Sequence, residues 1–558
     1  MNQMIGAEAV VRLLQAAGTE VIFGLCGDTS LPLYDALARL DHAMTHVLAR
    51  DERSAGYMAD GYARASGRVG VCEGPSGGGA TYLLPALAEA NGSSVPVLGI
   101  TTDIAVASRG RFNLTELDQA ALFQPVTKWN AVIERAGDVP RMLRAAYRHM
   151  TSGRPGAVHL GLPFDVQTAP LDDPDLSLDP GPGPISAPDP AGTERAAALI
   201  ARARAPVIIC GGGPVIAGAM AALQTLAERI GAPVATSVSG KGAMAEDHPL
   251  ALGVVGSNGG VAETRAVVDG ADLVIFVGCR AGSVTTERWR HPAPGGSKVI
   301  HVDIDPAVIG ANYAADVALI GDARLALEAL GQATDAGPAE RRSDAEARVG
   351  AARAAKFAAF DALAASTERP IRPEAVIAAL NRVLPAEAVV VADPGTPCPY
   401  VAAYYRQTRP GRQVLTNRAH GALGYALSAA LGARFARAQA PVVALMGDGS
   451  FGFTAGELET VARLGLPFTL IVFANASFGW IKAGQKVGYQ ERYFSVDFSA
   501  TDHAAVARAY GLPAWRVEDP ADLDRVLRQA LDDGRPGLID VIAQPLHQAR
   551  APVSEWVA

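Results

Sequence analysis

Val442 to Asn475 read VVALMGDGSFGFTAGELETVARLGLPFTLIVFAN, and this stretch contains the pattern that decides the fold. The run Val442–Met446 is apolar and β-branched, Ala455–Arg463 has helical periodicity, and Leu470–Phe473 is a second apolar run. Short continuous apolar strands that alternate with helices indicate a parallel sheet that helices cover on both faces. In such a fold, ligands lie at the carboxyl ends of the strands.

The same alternation recurs along the whole chain. Further strands are predicted at Val21–Phe23, Gly70–Cys72, Val97–Thr101, Ala157–Leu160, Val207–Cys210, Leu273–Gly278, Val299–Ile304, Ala388–Ala392 and Gly537–Ile542. Two stretches, 167–194 and about 332–371, separate three groups of strands, and the second includes a predicted helix over Ala339–Ala365. We therefore predict an α/β protein of three doubly wound parallel-sheet domains, the central one Rossmann-like. The predicted bounds are 1–166, 190–335 and 370–548, followed by a tail over 549–558.

The composition excludes several functional classes. The chain has 558 residues, a net charge of -8 and 49% hydrophobic residues. Such an acidic chain, which has no Lys/Arg cluster, lacks the electrostatic footprint of a nucleic-acid or membrane-surface binder. Its apolar runs are too short to span a bilayer, and its first ten residues do not resemble a secretory signal. Because the five cysteines form no CxxC pair, we expect a cytoplasmic protein with reduced thiols and no nucleic-acid or membrane partner.

Oxygen-bearing residues follow the two strands of the quoted stretch. Asp448 can supply a carboxylate, and Asn475 can supply an amide oxygen from the end of the next strand. The backbone carbonyl of Ser477, two residues later, is a natural third ligand. A hard cation such as Mg²⁺ prefers oxygen ligands of these kinds, so the three residues are candidate metal ligands.

Glycines flank the aspartate at positions 447 and 449. Gly447 and Gly449 let the backbone approach a phosphate, and the helix start near Ser450 offers N–H groups to a polyanion. Alternatively, the segment is a plain turn between a strand and a helix, since Asp-Gly turns are common.

Strand, Gly-Asp-Gly, helix, strand and asparagine at this spacing resemble the cofactor motif of the thiamine-diphosphate enzymes. The resemblance implies that Asp448, Asn475 and Ser477 hold Mg²⁺. It assigns cofactor contacts in this region to Gly447, Asp448, Gly449, Ser450, Asn475, Ser477, Phe478 and Gly479. The family usually has two adjacent asparagines, whereas the first position here is Ala474. Because the family places the metal on the second, we expect ligation to survive.

A second part of the resemblance lies near the N-terminus. Residues 46–64 read HVLARDERSAGYMADGYAR and resemble the acetolactate synthase segment in which a His-Glu pair precedes a helix ending in ADGYAR. In that family the glutamate bonds a ring nitrogen of the aminopyrimidine, which implies that Glu52 is catalytic and binds the cofactor. Taken alone, Glu52 could be a solvated charge at a helix N-terminus, where the helix dipole favours it.

The resemblance covers nearly the whole chain and implies the rest of the site. Leu423 occupies the bulky position that bends the cofactor, and the Gly421 carbonyl faces the aminopyrimidine. Gly395 and Thr396 lie where the family contacts the diphosphate. The first domain is thereby implied to bind the pyrimidine and the third the diphosphate. Since the family takes the glutamate and the metal motif from different subunits, a homodimer or homotetramer with interfacial sites is implied.

The central domain resembles the region that holds FAD in acetolactate synthases. The resemblance rests on the glycine turn Gly211–Gly213 after a strand and on the acidic strand end His301–Pro306. Many relatives keep this fold without the flavin, and the segment after Arg280 lacks the synthases' paired aspartates. FAD is therefore an alternative second cofactor, and a structural domain with an empty or altered pocket is favoured over it.

The implied function is decarboxylation of a pyruvate-like 2-oxo acid with carboligation to a second carbonyl, as in acetolactate synthases. Asp28 resembles an aspartate that helps proton transfer in pyruvate-type decarboxylases, or it is a turn or N-cap residue. His420 is a further candidate acid–base group, or a histidine that is merely hydrogen-bonded. Both are treated as candidate catalytic residues.

The predicted pocket departs from the synthases at two places. Thr115 stands where they carry a glutamine, and Ala483–Gly484 stands where they have Gln-Trp. A simple 2-oxo acid decarboxylase or a carbon–carbon lyase on the same scaffold is therefore the first alternative. A non-catalytic relative is a further alternative, against which the intact Glu52, Asp448 and Asn475 argue. The tail after Arg550 is short and apolar-aromatic, and we predict that it folds over an active site and closes it.

Overall fold

The protein is described from a computed structural model, which describes residues 3–179, 181 and 183–556. The strands of the first sheet are β1 (Val21–Gly24), β2 (Thr45–Leu48), β3 (Gly70–Gly74), β4 (Val97–Asp103), β5 (Trp129–Val132) and β6 (Val158–Pro163). They are parallel and lie in the order β2-β1-β3-β4-β6-β5. The strands β1, β3, β4 and β6 are buried along their whole length, as expected when helices cover both faces of a sheet.

The helices of this region alternate with its strands. They are α1 (Gly6–Ala16), α2 (Leu31–Arg39), α3 (Glu52–Ser66), α4 (Gly78–Gly92), α5 (Gln119–Phe123), α6 (Val139–Thr151) and α7 (Phe164–Thr168). The helix α3 begins where the Asp51 side chain accepts the N–H groups of Arg53 and Ser54, which satisfies donors that the first helical turn leaves free. It ends at Gly67 in a left-handed conformation that glycine adopts without strain.

The second sheet has the strand order of a dinucleotide-binding fold. Its strands are β7 (Pro206–Cys210), β8 (Val234–Thr236), β9 (Ala251–Val254), β10 (Leu273–Val277), β11 (Lys298–Asp303) and β12 (Val317–Ile320). They pair in the order β12-β11-β10-β7-β8-β9, so the order reverses between β7 and β10. The helices of this region are α8 (Pro190–Arg202), α9 (Gly213–Ile216), α10 (Met220–Ile230), α11 (Ala262–Asp269), α12 (Ala323–Ala333) and α13 (Ala339–Ala364).

The third sheet repeats the topology of the first. Its strands are β13 (Val389–Ala392), β14 (Val414–Thr416), β15 (Val442–Gly447), β16 (Thr469–Ala474), β17 (Ala514–Val517) and β18 (Gly537–Ile542), in the parallel order β14-β13-β15-β16-β18-β17. Its helices are α14 (Pro373–Val383), α15 (Pro397–Tyr404), α16 (Tyr425–Ala436), α17 (Asp448–Phe451), α18 (Leu458–Leu464), α19 (Gly479–Gly488), α20 (His503–Ala509) and α21 (Leu523–Asp532).

The chain forms two compact units. The first consists of 1–184, 417–440 and 452–466, and the second consists of 185–416, 441–451 and 467–558, each without the residues outside the described ranges. Residues of the third predicted domain thus contribute to both units. The predicted bounds 1–166, 190–335 and 370–548 stay predictions, and residues 1, 2, 557 and 558 lie outside the described residues.

The three parallel sheets confirm the predicted α/β class. Seven strands were not predicted, and six of these are edge strands: β2, β5, β9, β12, β14 and β17. They are only three or four residues long, and several are partly exposed, so each leaves a weak signal in the sequence. The predicted helix over Ala455–Arg463 begins as a 3-10 turn at Ala455–Glu457 and becomes α-helical at Leu458.

Candidate functional site

Glu52 is the first residue of α3 and is only 6% exposed. Its side chain lies against two glycines. A Cβ atom on Gly74, the last residue of β3, would be 3.2 Å from the Glu52 Cγ atom, and one on Gly79, in α4, would be 2.9 Å from Oε1. The carboxyl group therefore occupies a narrow space that only glycine at both positions leaves open.

The surroundings disfavour the ionised form of this carboxyl. Burial raises the pKa of Glu52, a backbone hydrogen bond opposes the rise, and the nearby carboxylates of Asp51 and Glu73 add to it. Glu73 is itself buried at β3, where it accepts a hydrogen bond from Tyr34 Oη and lies 3.3 Å from His46 Nε2. Burial thus raises the pKa of both acids, which favours retention of their protons.

The segment that leads into Glu52 is held by a glutamate that sequence reasoning missed. Glu457 is 1% exposed, and its Oε1 accepts the backbone N–H of Arg50 at 2.8 Å. Its Oε2 accepts the Thr460 hydroxyl at 2.8 Å. Arg53 Nη2 also donates to the carbonyl of Phe453 at 2.8 Å. The contacts of Glu457 with Arg50 and of Arg53 with Phe453 join residues 407 and 400 positions apart in sequence, and no local pattern indicates them.

The predicted metal residues lie together in the second unit. Asp448 follows β15 and is 6% exposed. Its Oδ2 accepts the backbone N–H groups of Asn475 at 2.6 Å and Ala476 at 2.5 Å, and its Oδ1 accepts that of Gly449 at 2.8 Å. Burial raises the pKa of Asp448, while these backbone N–H groups oppose the rise. The carboxylate is therefore held at the adjoining ends of two neighbouring strands.

Asn475 and Ser477 complete this group. Asn475 Oδ1 accepts the Ser477 hydroxyl at 3.0 Å, and the Ser477 carbonyl accepts the N–H of Gly479 at 2.9 Å. Phe478, the residue after Ser477, packs edge-to-face on Phe498 with ring centroids 5.3 Å apart. A carboxylate after β15, together with an amide oxygen and a backbone carbonyl in the loop after β16, thus occurs at the adjoining ends of two neighbouring strands, and hard divalent cations prefer this donor set.

Asp393 is a second residue that sequence reasoning missed. It follows β13, is fully buried, and accepts a hydrogen bond from the Ser450 hydroxyl. Its position directly after a buried strand is a signal that could have indicated it, because ligands and their supports gather at strand carboxyl ends. Gly395 follows with φ 90°, a conformation that favours glycine, and Thr396 precedes α15.

The loop His420–Gly424 lies in the first unit and leads into α16. Gly421 has φ 73° and Gly424 has φ 85°, so the loop bends at two positions where other residues would be strained. The side chain of His420 is exposed, and Leu423 is half-buried. Asp28, also exposed, begins a 3-10 turn before α2.

The C-terminal tail runs along the second unit. The carbonyl of Pro552 accepts the N–H of Gly259 at 2.8 Å, and Val553 forms an antiparallel bridge with Asn258. Trp556 packs on Trp480, in α19, with ring centroids 5.0 Å apart. The tail therefore contacts the helix that directly follows the predicted metal loop.

Two features that the described residues lack bear on binding. Within 3–179, 181 and 183–556, no helix is long and apolar enough to cross a membrane. The same residues contain no group of three or more His, Cys, Asp or Glu side chains suited to a metal. The predicted site has one such side chain, Asp448, beside an amide and a carbonyl, so it is a donor set of another kind.

Three family descriptions match the chain in succession. The thiamine pyrophosphate enzyme N-terminal TPP binding domain matches residues 4–122, the central domain matches 193–330, and the C-terminal TPP binding domain matches 393–541. Together they follow the three sheets, and they support thiamine diphosphate as a cofactor.

Curated relatives match over nearly the whole chain. A Methanocaldococcus jannaschii protein described as a probable acetolactate synthase large subunit is 35% identical over 97% of this chain and 92% of its own. The acetolactate synthase large subunit of Corynebacterium glutamicum is 35% identical over 97% and 87%, respectively. The acetolactate synthase of Arthrospira platensis is 34% identical over 97% and 94%. The predicted resemblance is thereby confirmed, and the chain belongs to the thiamine pyrophosphate enzyme family as an acetolactate synthase-like decarboxylase and carboligase.

Proposed function

We propose that the protein decarboxylates a pyruvate-like 2-oxo acid and joins the remaining acyl unit to a second carbonyl compound. The observation that carries the proposal is the buried carboxyl of Glu52, in a chain similar to acetolactate synthases over 97% of its length. When bound, thiamine diphosphate supplies the electron sink that loss of CO2 from a 2-oxo acid requires. The residues of this chain bind it, orient it and manage protons.

Glu52 is suited to hold a proton against a basic ring nitrogen. Because burial and neighbouring acids raise its pKa, its carboxyl keeps a proton to higher pH than a solvated glutamate does. The Asp51 cap and the two glycines at its sides limit the directions in which it can point. A glutamine at this position could still form a hydrogen bond but could not exchange a proton.

Asp448, Asn475 and the Ser477 carbonyl would hold Mg²⁺. The fit rests on oxygen donors at the ends of two neighbouring strands and on backbone N–H groups that fix the carboxylate. A Cβ atom on Gly447 would meet no heavy atom within 4 Å. The open space there supports approach of a diphosphate to the backbone, with Gly449, Ser450, Gly395 and Thr396 as further candidate contacts.

Asp28 and His420 are the candidate acid–base groups, which would donate a proton to the substrate or accept one from it. Both side chains are exposed in the first unit, so each is accessible to a small molecule. Thr115 is a candidate for the substrate wall. Its φ is 68°, which is strained for a β-branched residue, and its hydroxyl is 2.7 Å from that of Ser76. Strain of this kind gathers at functional sites.

We propose that the central domain has a structural role, in preference to binding FAD. A Cβ atom on Gly211 would lie 2.0 Å from the carbonyl oxygen of Gly278, and one on Gly213 would lie 2.5 Å from its Cα. The glycine turn after β7 therefore packs closely against Gly278, which follows β10, so packing alone accounts for these glycines without a bound dinucleotide. An absorption spectrum of the purified protein tests this, and a flavin spectrum would overturn it.

A homodimer or homotetramer is the proposed assembly. In the first unit, Phe112 is fully exposed and Leu114 is 86% exposed. Neighbouring exposed apolar side chains of this size favour burial against another subunit. The cytoplasm is the proposed location, since all five cysteines are unpaired, as in reducing compartments.

The experiment is turnover of pyruvate by the purified protein with thiamine diphosphate and Mg²⁺, with CO2 followed and the product identified by NMR. Acetolactate supports the proposal. Free acetaldehyde supports the simple decarboxylase, which the exposed Asp28 turn favours. Absence of CO2 from pyruvate overturns the proposal that pyruvate is the substrate. Glu52→Gln is the matched control, because it keeps the shape of the side chain and removes its proton.

A further inference from the structure

Glu89 of α4 lies fully buried beneath the loop that leads to Gly421. Its Oε1 accepts the backbone N–H of Arg418 at 3.0 Å. Its Oε2 accepts the N–H groups of Ala419 at 3.0 Å and His420 at 2.7 Å. One carboxylate thus binds three consecutive backbone donors of a segment that is neither helix nor strand. Hydrogen bonds to an ionised acceptor are about twice as strong as neutral ones.

Glu89 is itself held by two side chains. Arg64 Nη2 donates to its Oε1 at 3.0 Å, and the Ser93 hydroxyl donates to the same oxygen at 2.6 Å. Burial alone would raise the pKa of Glu89, but the Arg64 charge, Ser93 and the backbone N–H groups outweigh burial and lower it. The carboxyl is therefore ionised at neutral pH, which is the form that accepts all of these bonds.

The far end of the loop belongs to the same network. Arg64 Nε donates to Asp60 Oδ2 at 2.6 Å, and both residues lie on α3, the helix that Glu52 begins. Asp60 Oδ2 also accepts the hydroxyl of Tyr425 at 2.6 Å. Tyr425 is the first residue of α16 and directly follows the loop. Buried charges therefore hold the loop at its start through Glu89 and at its end through Asp60.

The backbone of the loop is flexible by composition. Gly421 and Gly424 both have positive φ, and a glycine backbone loses more conformational freedom on ordering than any other. One further contact within it joins Asn417 Nδ2 to the Ala422 carbonyl at 2.7 Å. A segment of this kind is ordered mainly by what its N–H groups bind.

We propose that Glu89 is a positioning residue, whose carboxylate sets the loop so that the Gly421 carbonyl and the Leu423 side chain face the cofactor. The inference rests on the proposed function for what the loop contacts, and on the structure for how the loop is held. Glu89 does not touch the cofactor in this role. It acts through the three backbone N–H groups that it binds.

The decisive variant is Glu89→Gln, with Ser93→Ala as its matched control. Glutamine has nearly the same shape but one acceptor oxygen, and its NH2 group would face backbone donors. Ser93→Ala removes one bond to Glu89 and leaves the carboxylate, Arg64 and the three backbone bonds in place. A positioning role therefore predicts a large effect for the first change and a small one for the second.

The first measurement is hydrogen–deuterium exchange of the protein without added cofactor, in a peptide that covers 417–424. We expect Glu89→Gln to speed exchange of this peptide by about tenfold or more, and Ser93→Ala to leave it near the wild-type rate. Peptides from β3 should not change in either variant. If the 417–424 peptide of Glu89→Gln exchanged at the wild-type rate, or if the exchange rate rose equally in peptides from β3, the inference would be overturned.

The second measurement is the affinity for thiamine diphosphate with Mg²⁺, by calorimetric titration. Glu89→Gln is expected to bind about tenfold or more weakly, with the wild-type value kept in Ser93→Ala. Equal affinity in wild type and Glu89→Gln would overturn the role of the loop. Failure of the wild type to bind would instead overturn the proposed function, and the exchange measurement would still decide how the loop is held.

Glu89→Asp keeps the test decisive if the glutamine variant does not fold. Aspartate retains the charge that pairs with Arg64, but it is one methylene shorter and cannot reach all three N–H groups. We expect a smaller increase in exchange, confined to the same peptide. Wild-type exchange in this variant would overturn the inference.

Discussion

Gly447 and Gly449 flank Asp448 in one turn, yet their surroundings differ. A Cβ atom on Gly449 would lie 2.8 Å from Cε1 and 2.9 Å from Cδ1 of Phe478. A Cβ atom on Gly447 would meet no heavy atom within 4 Å. Adding one methyl group at each position therefore separates two reasons for a glycine, internal packing and access for a ligand.

Gly449→Ala should destabilise the protein even without its cofactor. The Phe478 ring cannot retreat freely, because it packs on Phe498 with centroids 5.3 Å apart. Overpacking of this kind destabilises by about 1–3 kcal/mol, or roughly 2–10 °C in Tm for a domain of this size. Gly447→Ala meets no such contact and should leave stability unchanged or raise it by about 0.4–1 kcal/mol, through reduced freedom of the unfolded chain.

The assay is thermal unfolding of the protein without cofactor, followed by titration with thiamine diphosphate and Mg²⁺. We expect Gly447→Ala to unfold like wild type but to bind at least about tenfold more weakly, a loss of about 1.4 kcal/mol. Equal Tm values for the two variants would refute the packing argument. Wild-type affinity of Gly447→Ala would refute the placement of the diphosphate beside that residue.

Three further predictions follow from other contacts. Glu52→Gln should abolish turnover and flatten the pH dependence of the free energy of unfolding. Because the pKa of Glu52 is raised in the folded protein, its carboxyl stabilises the fold below the ordinary pKa of about 4.3, and this contribution is lost as pH rises through the raised pKa. Urea midpoints that run parallel in variant and wild type from acid to neutral pH would contradict this. Gly61→Ala should destabilise the protein by about 3 kcal/mol in thermal unfolding, because its Cβ atom would lie 2.2 Å from the backbone oxygen of Ala429. Gly331→Ala is the control and should not destabilise it, because its Cβ atom would meet no heavy atom within 4 Å. Deletion from Ala551 onward removes the tail's contact with α19 and should lower turnover; steady-state kinetics equal to those of the full chain would dispose of the closing role.

Local sequence was sufficient for most of the central strands. Strands such as β15 and β16 are buried on both faces, so nearly every residue of the strand is apolar, and the run is visible in the sequence. The long helix predicted at Ala339–Ala365 is observed at Ala339–Ala364, because the segment is rich in the strong helix formers Ala, Arg and Glu. The edge strands have one neighbour each and are only three or four residues long, which is why they were missed.

The supports of the site could not be predicted in the same way. Glu89 and the N–H group of His420 are separated by 331 positions, and Glu457 and the N–H group of Arg50 by 407. A glutamate within a helical pattern has the same local appearance whether it faces water or binds a distant backbone. Only the path of the chain brings such groups together, and only burial makes their bonds strong.

The sequence by itself determined the α/β class, because strand periodicity is a property of neighbouring residues, and it determined the family through motifs that resemble those of the thiamine-diphosphate enzymes. That resemblance made Asp448, Asn475 and Glu52 the candidate site residues. The tertiary structure decided which groups hold those residues in place: the backbone N–H groups on Asp448, Glu457 beneath Arg50, and Glu89 beneath the Gly421 loop. These contacts join distant segments, and their strength comes from desolvation, which exists only once the chain has folded.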